Sequence, residues 1–210
     1  MRISCLDLGL VDFKKAELLQ KEAFLRVRSG EYAAVLLACE HNPVITLGRS
    51  AMTESVLLPE QELKEKGILV CSTCRGGDAT YHGPGQLTVY PVIDLGLFKK
   101  DIHVYLRGLE RVIIGFLEKY GVKARQKPGL TGVWIQDKKI ASIGIAIKNW
   151  ISFHGLSINI SNQSLPGFSF IKPCGMDIQV TSLEENTCRQ LRMEKVKQDF
   201  LSEFKQAFFN

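Results

Sequence analysis

Residues 75–86 read Arg75-Gly76-Gly77-Asp78-Ala79-Thr80-Tyr81-His82-Gly83-Pro84-Gly85-Gln86, which places four glycines and a proline in twelve positions between two apolar segments. Glycines at that density permit positive φ and close backbone approach, and Pro84 stiffens the exit into the strand-like stretch 86–91. A surface turn rarely needs twelve residues, and a linker has no use for Arg75, Tyr81 and His82 together. The run is predicted to be a loop between strands that sets backbone amides against a ligand.

Periodicity supplies the surrounding elements. Residues 3–8 alternate like a strand. Asp12 is placed to cap a helix in which Phe13, Ala16, Leu19 and Ala23 recur at near-helical spacing until Gly30 stops it. Strands are expected at 33–39 and 44–47, a short helix at 59–66 ended by Gly67, and a strand at 68–71 that feeds the loop. The spacing of Leu106, Leu109, Val112, Phe116 and Tyr120 predicts a long helix over 102–120. From Gly132 onward the texture is that of strands, at 133–136, 139–147 and 151–160, with a turn at Asp137-Lys138. The tail 193–209 returns to helical period, with Val196, Phe200, Phe204 and Phe208 on one stripe. Helices and strands so mixed, without a regular βαβ repeat, predict an α/β (α+β) domain with a mixed, largely antiparallel sheet flanked by helices.

A chain of 210 residues, 45% hydrophobic, can bury one substantial core, and no linker-like stretch divides it, so residues 1–210 are read as a single domain. Charge interrupts the N-terminus too early for a secretory segment, and no stretch approaches the ~20 apolar residues of a membrane span. A soluble cytoplasmic protein with no membrane partner is expected. The six cysteines, at positions 5, 39, 71, 74, 174 and 188, are scattered, which suits free thiols in a reducing compartment. The net charge of +5 is modest and dispersed; that argues against nucleic acid and leaves acidic protein partners favoured. Cys71 and Cys74 form a lone C-x-x-C without a second ligand pair, so no metal is expected, and there is no P-loop, G-x-G-x-x-G or G-x-S-x-G.

Cys174 stands apart from the other thiols because it lies between Pro173 and Gly175 after the irregular stretch 161–170, whereas Cys5 and Cys39 sit inside strand-like runs. Three more segments stand out with the glycine-rich run: His41-Asn42-Pro43-Val44-Ile45-Thr46-Leu47-Gly48-Arg49, Lys139-Ile140-Ala141-Ser142-Ile143-Gly144, and His154-Gly155-Leu156-Ser157-Ile158-Asn159. Together with Pro173-Cys174-Gly175, in this order, they resemble the signature of the lipoyl (octanoyl) transferases, relatives of the lipoate-protein and biotin protein ligases. The resemblance spans most of the chain.

It implies a biotin/lipoate-ligase-like catalytic fold. It also implies transfer of an octanoyl or lipoyl group from octanoyl-acyl carrier protein to a lysine ε-amine, on lipoyl domains of 2-oxoacid dehydrogenase complexes and on the glycine cleavage H protein. By the same resemblance Cys174 is the acyl acceptor and Lys139 its activator, and residues 75–82, 142–144 and 155–157 line the acyl pocket; His82 and His154 are read as orienting the surroundings of Cys174 and Lys139. The chemistry is coherent. A carrier-bound acyl group is already a thioester, so exchange onto Cys174 is near-even and needs neither ATP nor a cofactor. A thiol with pKa ~8.5 is only a few per cent ionised near neutrality, so a cation must stabilise the thiolate. The acceptor amine, pKa ~10.4, must shed a proton, and a desolvated neutral Lys139 could take it. Burying about six methylenes at ~0.8 kcal/mol each gives roughly 5 kcal/mol, enough for chain length to matter. Two alternatives stay open: an ATP-dependent lipoate or biotin ligase, which needs no cysteine, and an acyl-binding protein without turnover.

Overall fold

The computed structural model describes residues 1–173 and 177–209. Its centre is a seven-stranded sheet assembled from strands distant in sequence. In spatial order these are β1 (Ile3–Val11), β2 (Ala34–His41), β6 (Gln86–Ile93), β10 (Ile151–Asn159), β9 (Lys138–Lys148), β8 (Leu130–Ile135) and β7 (Arg125–Lys127). Only β1 and β2 run parallel; every other neighbouring pair is antiparallel. A second, three-stranded sheet places β3 (Val44–Leu47) between β4 (Leu69–Ser72) and β5 (Ala79–His82). A third of the glycine-rich run, Ala79–His82, is therefore strand, paired antiparallel to β3, where the sequence suggested loop throughout.

β6 is buried along its whole length, and its alternation divides the core. Leu87 and Val89, with Leu156 and Ile158 of β10, face α3 (Ile102–Glu118) and α5 (Met193–Phe209), whose Phe116, Phe200 and Phe204 are fully buried. Each such side chain contributes about 1.5–3 kcal/mol by leaving water. On the opposite face α1 (Phe13–Arg28) lays Ala16, Ala23 and Val27 over Val35, Leu37 and Val92. The small sheet covers the rest of that face and has its own core of Ile45, Leu63, Tyr81 and Ile171. The short helices α2 (Glu60–Glu65) and α4 (Leu183–Thr187) lie in the connections.

Some local expectations are corrected. Asp12 occupies the N-cap of α1 without capping it; its carboxylate instead accepts from Asn42 Nδ2 at 2.5 Å. The β8–β9 turn falls at Gln136-Asp137, one residue earlier than expected, because Gln136 adopts φ 51° and Ile135 pairs with Lys138. Among the described residues no helix is long and apolar enough to cross a membrane.

Candidate active site

Where the two sheets meet, a cavity of about 240 Å³ remains. That is below the ~300–1,000 Å³ of drug-sized ligand sites, a size suited to a slim chain. Its floor is the sheet face that carries Thr88, Ser157 and Ser142 directly opposite one another on β6, β10 and β9, with Gly155 opposite Gly144 in the same face. Small residues are required there. A Cβ on Gly144 would lie 3.0 Å from Arg75 Cδ and from the Gly76 carbonyl oxygen, and one on Gly155 would collide with β6. The bare Gly144 lets the glycine-rich segment settle onto the floor, and the bare Gly155 lets β10 lie close against β6.

Backbone hydrogen bonds hold that segment. Gly76 N–H donates to Ile145 O at 2.8 Å, while Arg49 and Ser50 donate to the carbonyls of Arg75 and Gly77 at 3.0 Å each. The Gly76 amide is thus committed to β9 and is not a donor for a ligand. Arg75 is itself buried, and its guanidinium donates to Thr46 O at 2.6 Å, to Thr46 Oγ1 and to Gly76 O. Burial lowers its pKa to about 10, still protonated at neutral pH.

His82 is fixed as a neutral imidazole. Gln86 Nε2 donates to Tyr81 O and to Asn159 Oδ1, so Gln86 Oε1 is the acceptor facing His82 Nδ1 at 2.7 Å. That assignment puts the proton on Nδ1 and leaves Nε2 a lone pair. Burial, followed by the charge of a protonated His41, pushes the His82 pKa down to about 3. His41, equally enclosed, bonds Val11 O and the Tyr90 hydroxyl at 2.8 and 2.7 Å. His154 falls to about 4, first through burial and then through Arg75 and Lys21; its Nε2 lies 3.4 Å from Cys74 Sγ. Both expected supporting imidazoles are neutral in the working range.

The polar network continues toward Lys139. Asn159 Nδ2 donates to Thr181 O at 3.0 Å, Thr181 N–H donates to Lys139 O at 3.0 Å, and Lys139 N–H donates to Gln179 O at 2.8 Å. Lys138 and Lys139 separate cleanly. Lys138 reaches the surface and pairs with Glu185 at 2.7 Å, whereas Lys139 lines the cavity beside Trp134, Ile178, Val180 and Pro173. The expected nucleophile, Cys174, lies outside the described residues. Pro173 before it and Ile178 after it both line the cavity. Of the other thiols, Cys39 and Cys71 are pushed up by burial and so are poor nucleophiles.

Most residues expected to line the pocket do so, from Arg75, Gly77, Asp78, Ala79, Thr80 and His82 to Ser142, Ile143, Leu156 and Ser157. Gly76 and Tyr81 do not belong to the wall; Tyr81 packs into the small core against Phe168, ring centroids 5.8 Å apart. Phe13, Tyr90, Thr88 and Trp134 are among the wall residues that were missed, because each reads as an ordinary member of a helix or strand. Thr46 lay inside a segment already singled out. Among the described residues no three His, Cys, Asp or Glu converge as a metal site.

Comparison with known proteins gives a consistent picture. The family model described as lipoyl protein ligase A/B catalytic domain matches residues 13–205. An octanoyltransferase of Thermoanaerobacter sp. strain X514 is 41% identical over 205 residues, covering 97% of this chain and 89% of the relative. The fold is that of the bi-partite lipoate protein ligase of Thermoplasma acidophilum, with a TM-score of 0.79 at 20% identity over 99% of this chain and 84% of that one. It also matches the biotin protein ligase of Aquifex aeolicus, TM-score 0.59 at 14% identity over 97% and 69% of the two chains. With a full-length relative at that identity and a family match over nearly the whole chain, this protein belongs to the lipoyl protein ligase A/B catalytic domain family.

Proposed function

We propose that this chain is an octanoyltransferase of protein lipoylation, working in the cytoplasm, which moves an octanoyl group from acyl carrier protein to a lysine on lipoyl domains through an acyl-Cys174 thioester. The observation that carries the reading is the position of Lys139. It lines the cavity together with Pro173, the residue bonded to Cys174, and the returning segment 179–181 hydrogen-bonds to both its N–H and its C=O. The octanoyltransferase of Thermoanaerobacter, 41% identical over 97% of this chain, supports it.

In the first half-reaction the Cys174 thiolate attacks the donor thioester, a carbon–sulfur bond forms to Cys174, and the carrier thiol leaves with the proton Cys174 gave up. The Lys139 ammonium favours the thiolate by charge. In the second, the acceptor amine attacks the acyl-enzyme, its proton passes to Lys139 in the neutral state, and Cys174 leaves as thiolate. His82 and His154 are neutral here and contribute fixed dipoles rather than charge. The chain's net charge of +5 suits acidic carrier and lipoyl domains.

Intact-mass measurement after mixing with octanoyl-acyl carrier protein, without ATP, should give one octanoyl adduct that maps to Cys174. Lys139→Arg should still load that adduct, since a permanent cation remains, yet fail to pass it to a lipoyl domain, because arginine cannot accept the proton. An adduct formed only with ATP and free octanoate would instead mark an adenylating ligase.

A further inference from the structure

Glu110 is a buried carboxylate that this chemistry does not use. On α3, with its side chain 1% exposed, it pairs with Arg107 at 2.6 Å and accepts the backbone N–H of Gly132 at 3.0 Å. Gly132 is held at φ 131°, a conformation open to glycine, and a Cβ built on it would lie 2.6 Å from Lys139 Cε and 3.3 Å from Nζ. The end of the lysine side chain therefore rests on a bare α-carbon. Trp134, which pairs with Lys139 across the β8–β9 ladder, forms the other wall, its ring centroid 5.5 Å from Lys139 Nζ.

Trp134 is 3% exposed, and among the described residues its Nε1 has no hydrogen-bond partner, so packing and charge alone define the ring's role. A second ammonium, Lys127 Nζ, lies 4.5 Å from the same centroid, with its charge balanced by Asp137 at 2.8 Å. An aromatic face attracts a cation through its quadrupole, and a flexible four-carbon stem otherwise samples many rotamers. We infer that Gly132 and Trp134 form a cradle, anchored to α3 through Glu110, that positions the Lys139 ammonium in the cavity. Trp134 and Glu110 are positioning residues: they act through Lys139. The inference rests on the reading of Lys139 as activator of Cys174.

Two substitutions isolate the ring. Trp134→Phe keeps an aromatic face and forfeits no hydrogen bond; Trp134→Leu keeps apolar bulk and removes the face. The readouts are octanoyl transfer and the pH dependence of Cys174 alkylation by a neutral reagent, with Lys139→Ala as reference. Trp134→Leu should lower kcat about ten-fold with KM for the donor unchanged, and should move the alkylation profile upward by about half a pH unit, the lower end of the cation–π range. Trp134→Phe should recover most of both, and Glu110→Gln, which still accepts from Gly132, should outperform Glu110→Leu. Equal behaviour of the Phe and Leu variants, with the Lys139→Ala profile shifted, overturns the cradle while leaving the activator role intact. An unshifted profile in Lys139→Ala overturns both.

Discussion

The two faces of β6 and β10 follow opposite rules although the same strands make them. Toward α3 and α5 stand Leu87, Val89, Leu156 and Ile158, met by Phe116, Phe200 and Phe204, a contact made of apolar side chains. Toward the small sheet stand Gln86, Thr88, Tyr90, Gly155 and Ser157, met by Arg75, His82 and Thr46, an interior held by directed hydrogen bonds around the cavity. A period of two thus gives one face to apolar packing and the other to directed hydrogen bonds. Substitutions should respect the division.

The largest expected effect is chemical. Cys174→Ser should reduce transfer by at least about three orders of magnitude, because a serine hydroxyl is too weakly ionised to replace the thiolate, while the melting temperature stays within error. Wild-type-like activity in the folded variant would end the thioester mechanism. Next comes the apolar face, where Phe200→Ala should cost about 3–5 kcal/mol of unfolding free energy, read by urea titration, and leave the folded fraction's specific activity unchanged.

Acid should sort the faces again. An unfolded histidine takes up its proton below about pH 6.5, whereas folded His154 and His82 do so only near 4 and 3. Between those values the unfolded chain binds more protons, so stability falls as pH falls, by up to about 1.4 kcal/mol per pH unit for each group. Urea titrations across the window should show that slope in wild type, a shallower one in His82→Gln, and an unaltered one in Phe200→Ala. The smallest expected effect is at the C-x-x-C: Cys71→Ala and Cys74→Ala should keep activity within about two-fold, since neither thiol is given a chemical role. Stoichiometric zinc lost with either replacement would contradict that.

The apolar face was the more legible in the sequence. The stripe of Val196, Phe200 and Phe204 marks α5 at its observed bounds, and the helix expected at 102–120 ends two residues early at Glu118. These are long periodic segments whose pattern is set by one continuous contact. The other face was legible only in part. The glycine-rich run could be singled out, yet not the pairing of Ala79–His82 with Val44–Leu47, because register depends on a partner 35 residues away. The edge strand Arg125–Lys127 left no trace in a run of three polar residues. Trp134 reads as one more buried aromatic in a strand, and nothing in its neighbours' spacing tells that its face meets two lysines.

The segment 171–180 is fastened at Ile171 to Val56 and at Val180 to Lys139, one fastening on each side of the cavity. Closing such a loop has an entropy that grows only with the logarithm of its length, so doubling its residues would cost about 0.6 kcal/mol. Lengthening the chain between the two fastenings should therefore change folding little and, on the role proposed for Cys174, change transfer more. An insertion here should register in turnover before it registers in a melting curve.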